Sequence, residues 1–567
     1  MMLLNAFHTL KRVKHELKLK DWNDYEIIKR DSLRVGFGEH GKGEKLIDAN
    51  DIEKNAALFE EYGMSVLISD KISVNRSIPD FRHQVCKTRK YLKDLPKVSI
   101  IIIFNDEAFS VFKRTLHSLY NRTPLELVEE VILVNDNSSK SYLYDDLKNY
   151  IDEHFKNLKF NIINLKKRHG LMQARVLGAK AAKSELIFIM ESHCEMTYNW
   201  LPPLIQPLIE ASNHRVVTVP IIDNIEWQYM DYYENDNGNK GSRGIFTWDL
   251  EYYKLKRLPV SNVDKELDPF PIPVLTGGIF MIRKNYFFEI GPYDEKLIIW
   301  GAENIEMSLK VNLCGGKILE VPCSHIGHMF RAFTKSRTHE SGIDFEAFNR
   351  KRVVEVWFDN YKEAVYMRNK ERYAYIDVGD LSEARQVKER LNCKPFEYFL
   401  KDIAPDMIEN FPPDQFPFAY GRIELLDENL CLHINVGPNP GEMTKVELYE
   451  CQKPTVANQN LELSWYRDIR LRDVNICIDV YEISAVTCHL SGGNQLFKYD
   501  FRTKQIKNMN NKLCIEGNAE ERTLKLTKCD EMLKSQKWIF SDFVNATALQ
   551  NWYESGRKFK DDNSVFW

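Results

Sequence analysis

The feature that most restricts the fold of this chain is a block of residues that recurs three times in its last quarter. Each block has a cysteine, then a second cysteine, then a glutamine with an apolar residue two positions later. The blocks begin at Cys431, Cys477 and Cys514. The sequence within and between them consists of short strand-like pieces and turn residues, which is typical of a threefold array of small β units. We therefore predict an all-β domain, a β-trefoil, over residues 418–545, followed by a tail over 546–567.

The middle of the chain has a different pattern, in which short apolar runs alternate with helical stretches. Val98–Phe104 is apolar and β-branched with almost no polar alternation, as expected of a strand buried on both faces. Similar runs follow at 131–134, 160–163 and 186–190, with helical stretches at 111–121 and 171–183. Repeated β-α-β units predict a mostly parallel α/β sheet of Rossmann-like type. We assign this domain to 96–400, a polar stem and wrapping arm to 1–95, and a linker to 401–417.

Polar side chains that follow the predicted strands are the candidates for a functional site. Asp136 comes after one strand, and Glu191 and His193 come after another. Ligands bind beyond the carboxyl ends of parallel strands, so these residues should face one crevice. Residues two apart on an extended segment point to the same side, so Glu191 and His193 can reach one divalent ion. An acidic-x-His triplet is common by chance, and only its place at a strand end favours a metal site.

A third metal ligand can come from His328, which lies in the segment Cys323–His328 after an apolar run. A carboxylate, two imidazoles and phosphate oxygens would suit Mn²⁺. Thiolates and imidazoles would instead suit Zn²⁺, and Cys314 is also nearby in sequence. On sequence alone both metal sites remain open.

Two further segments can each be functional or purely structural. Trp300–Asn304 places an aromatic ring, a glycine, a carboxylate and an amide at a helix start, which suits sugar hydroxyls, but a helix cap with a buried Trp has the same pattern. Gly277 and Gly278 precede a predicted strand, where they can allow backbone to approach a ligand or simply form a tight turn.

Composition narrows the function classes and the compartment. The formal net charge of −4 gives no electrostatic reason to expect nucleic acid as a partner. Of the 11 cysteines, most lie in the last quarter, which indicates disulfides formed in an oxidising compartment. We see no signal segment and no apolar run of membrane-helix length, so the expected compartment rests on the cysteines.

In their order along the chain these stretches resemble the polypeptide N-acetylgalactosaminyltransferase family, from about residue 80 to the end. The motifs that carry the resemblance are Leu95–Ala108, Leu133–Asp136, Arg168–Arg175, Glu191–Glu195, Gly277–Gly278, Trp300–Asn304 and Cys323–Arg331. The resemblance implies a GT-A glycosyltransferase domain followed by a ricin B-type lectin domain. It implies Mn²⁺-dependent transfer of N-acetylgalactosamine (GalNAc) from UDP-GalNAc to Ser or Thr hydroxyls of proteins or glycopeptides with retention, initiating mucin-type O-glycosylation. It also implies a place in the Golgi lumen or at the Golgi membrane.

The same resemblance implies roles for individual residues. Glu191, His193 and His328 would hold the metal, while Glu303 and Asn304 would address the transferred sugar and the reacting centre. The residues expected to bind the donor are Asp136, Arg168, Gly278, Trp300 and Arg331. The disulfides implied are Cys86–Cys323, Cys314–Cys393, Cys431–Cys451, Cys477–Cys488 and Cys514–Cys529, which leaves Cys194 free.

The lectin repeats differ at one position. The acid of the family's Cys-Leu-Asp motif is present only in the second block, as Asp479, where the first block has His433 and the third Glu516. A carboxylate with the amide of Asn494 beside it suits the hydroxyls of GalNAc-type glycans. We predict at most one binding repeat, with three purely structural repeats as the alternative.

The metal motif also departs from the family's Asp-x-His, because its acid is Glu191. Glutamate is longer by one methylene, and a misplacement of about 1 Å can cost on the order of a hundredfold in rate. Two functions therefore stay open: an active transferase, or a catalytically degenerate one that binds glycopeptides or carbohydrate. A Zn²⁺-stabilised structural protein is the third alternative.

Overall fold

The computed structural model describes residues 18–554, apart from 235–240, 259–264, 333–341, 412, 414–416, 436–443, 473, 475 and 491. The chain divides into two compact units between Asn410 and Phe411. Parts of the predicted stem, linker and tail lie outside the described residues. The limits assigned to these three segments stay predictions.

The first unit is built on a mixed ten-stranded sheet. Eight strands follow one another across it in the order Phe270–Pro271, Lys317–Met329, Val216–Ile225, Phe280–Arg283, Leu186–Glu191, Val98–Phe104, Val128–Asn135 and Phe160–Asn164. The last four run parallel, and Phe280–Arg283 is antiparallel to both its neighbours. Two short strands, Cys194–Met196 and Tyr232–Tyr233, pair with Lys317–Met329 and Val216–Ile225 respectively. Every residue of Val98–Phe104 is buried, as its almost entirely apolar pattern predicts.

Helices cover this sheet. Leu171–Ala181 packs against Val98–Phe104 and Val128–Asn135, while Phe109–Arg122 contributes Phe112, which contacts Phe104 at 4.7 Å between ring centroids. The other described α-helices of the first unit that follow its first sheet strand are Asp145–His154, Leu201–Glu210, Lys284–Glu289, Glu303–Leu313, Phe345–Trp357, Lys362–Tyr366, Lys370–Ala374, Ser382–Arg390, Phe396–Tyr398 and Pro405–Asn410. The strands Ser242–Phe246 and Tyr252–Lys256 form a separate two-stranded sheet.

The arm ahead of the sheet contains helices that its composition did not predict. They are Tyr25–Ser32, Ala49–Tyr62, Val66–Lys71 and Gln84–Thr88, with the strand Leu19–Lys20 paired to Tyr91–Leu92. The guanidinium of Arg76 donates to the carboxylate of Glu195 at 2.8 Å, and both side chains are buried. These contacts make the arm part of the first unit.

The second unit consists of short strands around one apolar core. The strands are Ala419–Gly421, Ile423–Leu425, Leu430–Ile434, Thr444–Glu450, Leu461–Leu463, Ile469–Leu471, Ile476–Asp479, Ser484–Thr487, Phe497–Asp500, Gln505–Asn508, Cys514–Asn518, Thr523–Thr527, Trp538–Phe540 and Phe543–Val544. The helix Ala546–Glu554 follows, and its Leu549 is buried in the same core.

The recurring glutamines explain the threefold pattern. Gln459, Gln495 and Gln536 are all buried. In each block the glutamine amide donates to the carbonyl of the residue before the second cysteine, at 2.9, 3.2 and 3.0 Å. Its oxygen accepts from the amide of the residue after that cysteine, at 2.9, 3.0 and 2.8 Å. In each of the three repeats, a glutamine side chain therefore fixes the backbone around the second cysteine in the same way.

The cysteines form the five pairs that the resemblance implied. Two disulfides lie in the first unit, Cys86–Cys323 and Cys314–Cys393. Three close the repeats of the second unit, Cys431–Cys451, Cys477–Cys488 and Cys514–Cys529. Cys194 is a buried free thiol.

Candidate active site

Three side chains meet where the strands of the first unit end. Glu191 is the last residue of its strand, and His193 follows it by two positions. The short strand after His193 pairs antiparallel with Lys317–Met329, which places His328 opposite Cys194. The nearer oxygen of Glu191 lies 2.7 Å from Nε2 of His328 and 3.1 Å from Nε2 of His193. The structure thus brings the three predicted metal residues together.

The donor set suits a hard or borderline divalent cation. The candidate ligand atoms of Glu191, His193 and His328 all lie within 4.8 Å of one another. Nδ1 of His328 is buried and has no hydrogen-bond partner among the described residues. The alternative of a Cys/His zinc site is wrong here, because Cys314 and Cys323 are both in disulfides. One carboxylate and two imidazoles fit Mn²⁺ better.

Behind this cluster lies Glu107, which its local sequence pattern did not single out. Its side chain is 1% exposed, and its Oε2 lies 2.8 Å from Nδ1 of His193. Ser192 Oγ and Arg331 Nη2 donate to the same carboxylate, each at 2.8 Å. A carboxylate that holds the far nitrogen of an imidazole fixes the tautomer and the ring orientation of a metal ligand. Its place after a buried strand, where Asp136 and Glu191 also stand, was the available signal.

Charge is balanced within the cluster. Burial alone would raise the pKa of Glu107, but the charges of Arg331 and His193 bring it down to about 2. Burial lowers the pKa of His193, and the Glu107 carboxylate more than reverses this, to about 9. Burial dominates at His328 and lowers its pKa. A divalent cation at this cluster would therefore replace the proton that His193 holds.

A second group of side chains surrounds the buried guanidinium of Arg175. Arg175 Nη2 lies 3.5 Å from Glu191 Oε1, and Nη1 lies 3.4 Å from Glu303 Oε1. A Cβ at Gly278 would lie 1.8 Å from Nη2 of Arg175, so any larger residue there would have to displace this guanidinium. Arg175 thus connects the predicted metal residue Glu191 to the predicted catalytic residue Glu303, and accounts for Gly278.

The segment from Trp300 to Asn304 combines an exposed aromatic residue with a buried carboxylate. Trp300 is 48% exposed, so the alternative of a helix cap with a buried Trp is wrong. Glu303 begins the helix Glu303–Leu313, and its Oε2 accepts from the amide of Gly301 at 3.0 Å. Asn304 is half-buried in the first turn of the same helix. Trp300 is therefore available at the surface, three residues ahead of Glu303.

The remaining predicted donor residues are placed differently from one another. The carboxylate of Asp136 is buried and accepts from the amides of His169 and Gly170, at 2.7 and 2.8 Å. Arg331 joins the metal cluster through Glu107. Arg168 is exposed next to the loop that Asp136 holds. Asp136 therefore holds the two residues that directly follow Arg168 in the chain.

In the second unit, the second repeat has a polar cluster at the predicted position. Asp479 is 4% exposed; its carboxylate accepts from the side-chain amide of Asn494 and, at 2.8 Å, from the backbone amide of Tyr481. His489 Nε2 lies 3.1 Å from Asn494 Oδ1. In the third repeat, Glu516 is bonded within the repeat. The second repeat is thus the best candidate for glycan binding.

Comparison with known proteins finds similar domains in both units of the chain. A model of glycosyl transferase family 2 matches residues 99–291, a model described as the N-terminal domain of galactosyltransferase matches 260–335, and a ricin-type β-trefoil lectin model matches 419–541. N-acetylgalactosaminyltransferase 4 of Drosophila melanogaster is 40% identical over 94% of this chain and 84% of its own length. Polypeptide N-acetylgalactosaminyltransferase 10 of Homo sapiens is 36% identical over 94% and 88%.

The chain belongs to the polypeptide N-acetylgalactosaminyltransferase family. A crystal structure of GalNAc-T7 with UDP, GalNAc and Mn²⁺ covers 90% of this chain and 94% of its own, with 28% identity and a TM-score of 0.64. The predicted fold, a GT-A domain followed by a β-trefoil, is confirmed. Within the part of the chain that the structure describes, no helix has both the length and the apolar character to cross a membrane.

Proposed function

We propose that this protein transfers GalNAc from UDP-GalNAc to Ser or Thr hydroxyls of proteins with retention, and so initiates mucin-type O-glycosylation. The observation that carries the proposal is the convergence of Glu191, His193 and His328 at the strand ends. They meet in a chain whose family is named for this transfer. The acceptors would be Ser- or Thr-containing proteins or glycopeptides, and the donor a nucleotide sugar.

The three clustered side chains would hold Mn²⁺. The bound ion would neutralise the charge that develops on the leaving diphosphate. Glu107 would keep the His193 ring oriented and hold Arg331 beside the cluster, where its guanidinium can contact diphosphate oxygens. Both tasks belong to positioning and electrostatic stabilisation, which such transfer chiefly needs.

The other residues would bind the donor and the sugar. Glu303, fixed by Arg175 and by the amide of Gly301, would accept from hydroxyls of GalNAc, with Asn304 beside it. We assign the nucleotide part to the following residues: Asp136, Arg168, Gly278 and Trp300. Retention follows if the acceptor hydroxyl attacks the face from which the diphosphate leaves, its proton passing to a phosphate oxygen.

The second unit would bind GalNAc-type glycans through Asp479 and Asn494. Five disulfides support passage through an oxidising compartment, and we propose the Golgi lumen or its membrane as the site of action. We propose residues 96–400 as the catalytic domain and 418–545 as the lectin domain.

Transfer from UDP-GalNAc to a mixed library of Ser/Thr peptides and glycopeptides tests the function, with Mn²⁺ present or chelated. The natural protein is compared with Glu191→Asp, which restores the family's shorter acid. A matched control is Glu130→Asp, a buried glutamate bonded to Ser99 at 3.1 Å in another part of the sheet. Metal-dependent transfer by the natural protein is expected. Transfer by Glu191→Asp alone would instead support a degenerate, glycan-binding protein.

A further inference from the structure

The loop that leads into Glu303 has a strained backbone. Ile299 has φ of 56° and Ala302 has φ of 64°. Positive φ is uncommon for any residue with a Cβ, and for a β-branched residue it is a genuine outlier. Such conformations persist only where the surrounding structure holds them, and they cluster at functional sites. The structure around this loop should therefore contain contacts that hold it in place.

Asn349 holds it with the whole of its side-chain amide. This residue is fully buried on the helix Phe345–Trp357. Its Oδ1 accepts from the amide of Ile298 at 3.0 Å, and its Nδ2 donates to the carbonyls of Ile298 at 2.8 Å and Trp300 at 3.0 Å. Only an amide side chain of this length supplies an acceptor and two donors at once.

The loop is also held from its other side. The amide of Leu171 donates to the carbonyl of Ile299 at 2.8 Å. A Cβ at Gly170 would lie 2.6 Å from the backbone nitrogen of Ile299, so the two backbones are in direct contact. On the helix of Asn349, Arg352 binds Asp294 through two hydrogen bonds of 2.7 and 3.0 Å. The strained residues thus lie between two fixed elements.

We propose that Asn349 is a positioning residue for sugar transfer, a role that rests on the proposed function. It touches none of the residues assigned to the metal. It acts by keeping Ile298–Trp300 in the strained course that presents Trp300 at the surface and starts the helix at Glu303. Without its three hydrogen bonds the loop relaxes, and the sugar-binding carboxylate loses its fixed distance from the metal cluster.

The test compares Asn349→Asp, which keeps the shape and the acceptor but loses both donors, with Lys351→Met. Lys351 lies on the same helix and donates to the carbonyls of Tyr373 and Ile376, at 2.7 and 2.8 Å, away from the loop. We expect kcat for transfer to fall on the order of tenfold or more in Asn349→Asp and to change less than twofold in the control. Mn²⁺ affinity should stay within twofold in both.

Two further measurements separate positioning from a loss of stability. Hydrogen exchange of the Ile298 and Gly301 amides should accelerate in Asn349→Asp but not in Lys351→Met. In an Ile299→Gly background, where positive φ carries no strain, Asn349→Asp should cost several times less in kcat. Equal kcat losses in both backgrounds, or unchanged exchange at Ile298, would overturn the proposal. If the natural protein transfers no GalNAc, the proposed function fails, while the exchange measurement still decides whether Asn349 holds the loop.

Discussion

At the scale of single residues, the candidate site contains a carboxylate, Glu107, that we assign to neither the metal nor the substrates. Glu107 accepts from Ser192 and Arg331 and pairs with His193 while almost fully buried. A buried charge is tolerated only when its partners satisfy it, and here the side-chain partners all lie at the candidate site, while the backbone amide of Ala108 supplies one more hydrogen bond. Removing the charge should therefore disturb function more than fold.

We predict that Glu107→Gln weakens Mn²⁺ binding on the order of 10- to 100-fold, because the His193 ring loses the partner that orients it. Glu130→Gln is the matched control, since Glu130 is equally buried and bonds to Ser99 and to the amide of Lys183. Calorimetric titration of Mn²⁺ into the two variants measures the effect. Equal affinities in Glu107→Gln and the natural protein would contradict the role given to Glu107.

His117 gives the first unit a dependence on pH away from the site. Burial, then the positive charges of His154 and Lys113, lower its pKa to about 4. Between about pH 6.5 and pH 4 the unfolded chain binds a proton that the folded chain does not, so stability falls as pH falls through this window. Because the ring is partly exposed, we expect about 1 kcal/mol.

Thermal unfolding at pH 7 and pH 4.5 measures this contribution. The natural protein should lose more stability between the two values than His117→Gln, which keeps a polar group near the hydroxyl of Tyr150 and does not titrate. A difference of the opposite sign would mean that His117 is stabilised in its charged form.

At the scale of elements, the strand Phe280–Arg283 follows a glycine whose backbone lies against the buried guanidinium of Arg175. Gly278→Ala would place a methyl group 1.8 Å from Nη2 of Arg175 and push it away from Glu191 and Glu303. We predict a loss of turnover of at least tenfold.

Gly277→Ala separates this collision from backbone strain. A Cβ there would meet no atom of the described residues within 4 Å apart from its chain neighbours, but its φ of 70° costs alanine about 1 kcal/mol. Steady-state transfer kinetics with melting temperatures for both variants make the comparison. Equal turnover in the two would show that Arg175 tolerates the displacement.

The sequence predicted the strands of the sheet well, because strands buried on both faces are continuous apolar runs. Val98–Phe104 has the predicted limits, and Leu186–Glu191 extends the predicted run by the functional residue itself. Residues two apart on an extended segment point to the same side, so the spacing of Glu191 and His193 was enough to predict that they lie together. The repeats of the second unit could also be predicted from the sequence, because each contains a glutamine after its second cysteine, and all three glutamines are buried.

Other parts could not be predicted from local pattern. The helix Ala49–Tyr62 has only Tyr62 fully buried, so its apolar stripe is too thin to stand out. Glu107 and Arg175 act through partners more than 80 and more than 100 residues away in sequence, His193 and Glu303. The positive φ of Ile299 could not be predicted from the sequence, because β-branched residues rarely adopt it. Those features depend on the assembled fold.

At the scale of the whole molecule, the two units have separate cores and different chemistry. The first contains the candidate metal ligands where strands of its sheet end, and the second contains the buried Asp479. Because the residues proposed for sugar transfer lie in the first unit and those proposed for glycan binding lie in the second, we expect that the two proposed activities can be lost one at a time. Variants of one unit should leave the basal activity of the other intact.

The second unit offers a control within its own symmetry. Asp479 and Glu516 occupy equivalent places two residues after the first cysteine of their blocks. The Glu516 carboxylate accepts from Thr527 Oγ1 at 2.6 Å and from Gln536 Nε2 at 3.1 Å, and pairs with Lys525 at 3.1 Å. The Asp479 carboxylate bonds only to Asn494 and Tyr481 among the described residues, which leaves acceptor capacity for sugar hydroxyls.

We predict that Asp479→Asn weakens binding of a GalNAc-bearing glycopeptide at least tenfold, while Glu516→Gln changes it less than twofold. A neutral amide accepts more weakly than a carboxylate, and the Glu516 carboxylate is already engaged by Thr527, Gln536 and Lys525. Calorimetry with a glycopeptide that lacks a free Ser or Thr measures lectin binding alone, and transfer to bare peptides should be unchanged in both variants. Retained binding in Asp479→Asn would move the glycan site to another repeat, with His433 of the first repeat as the next residue to replace.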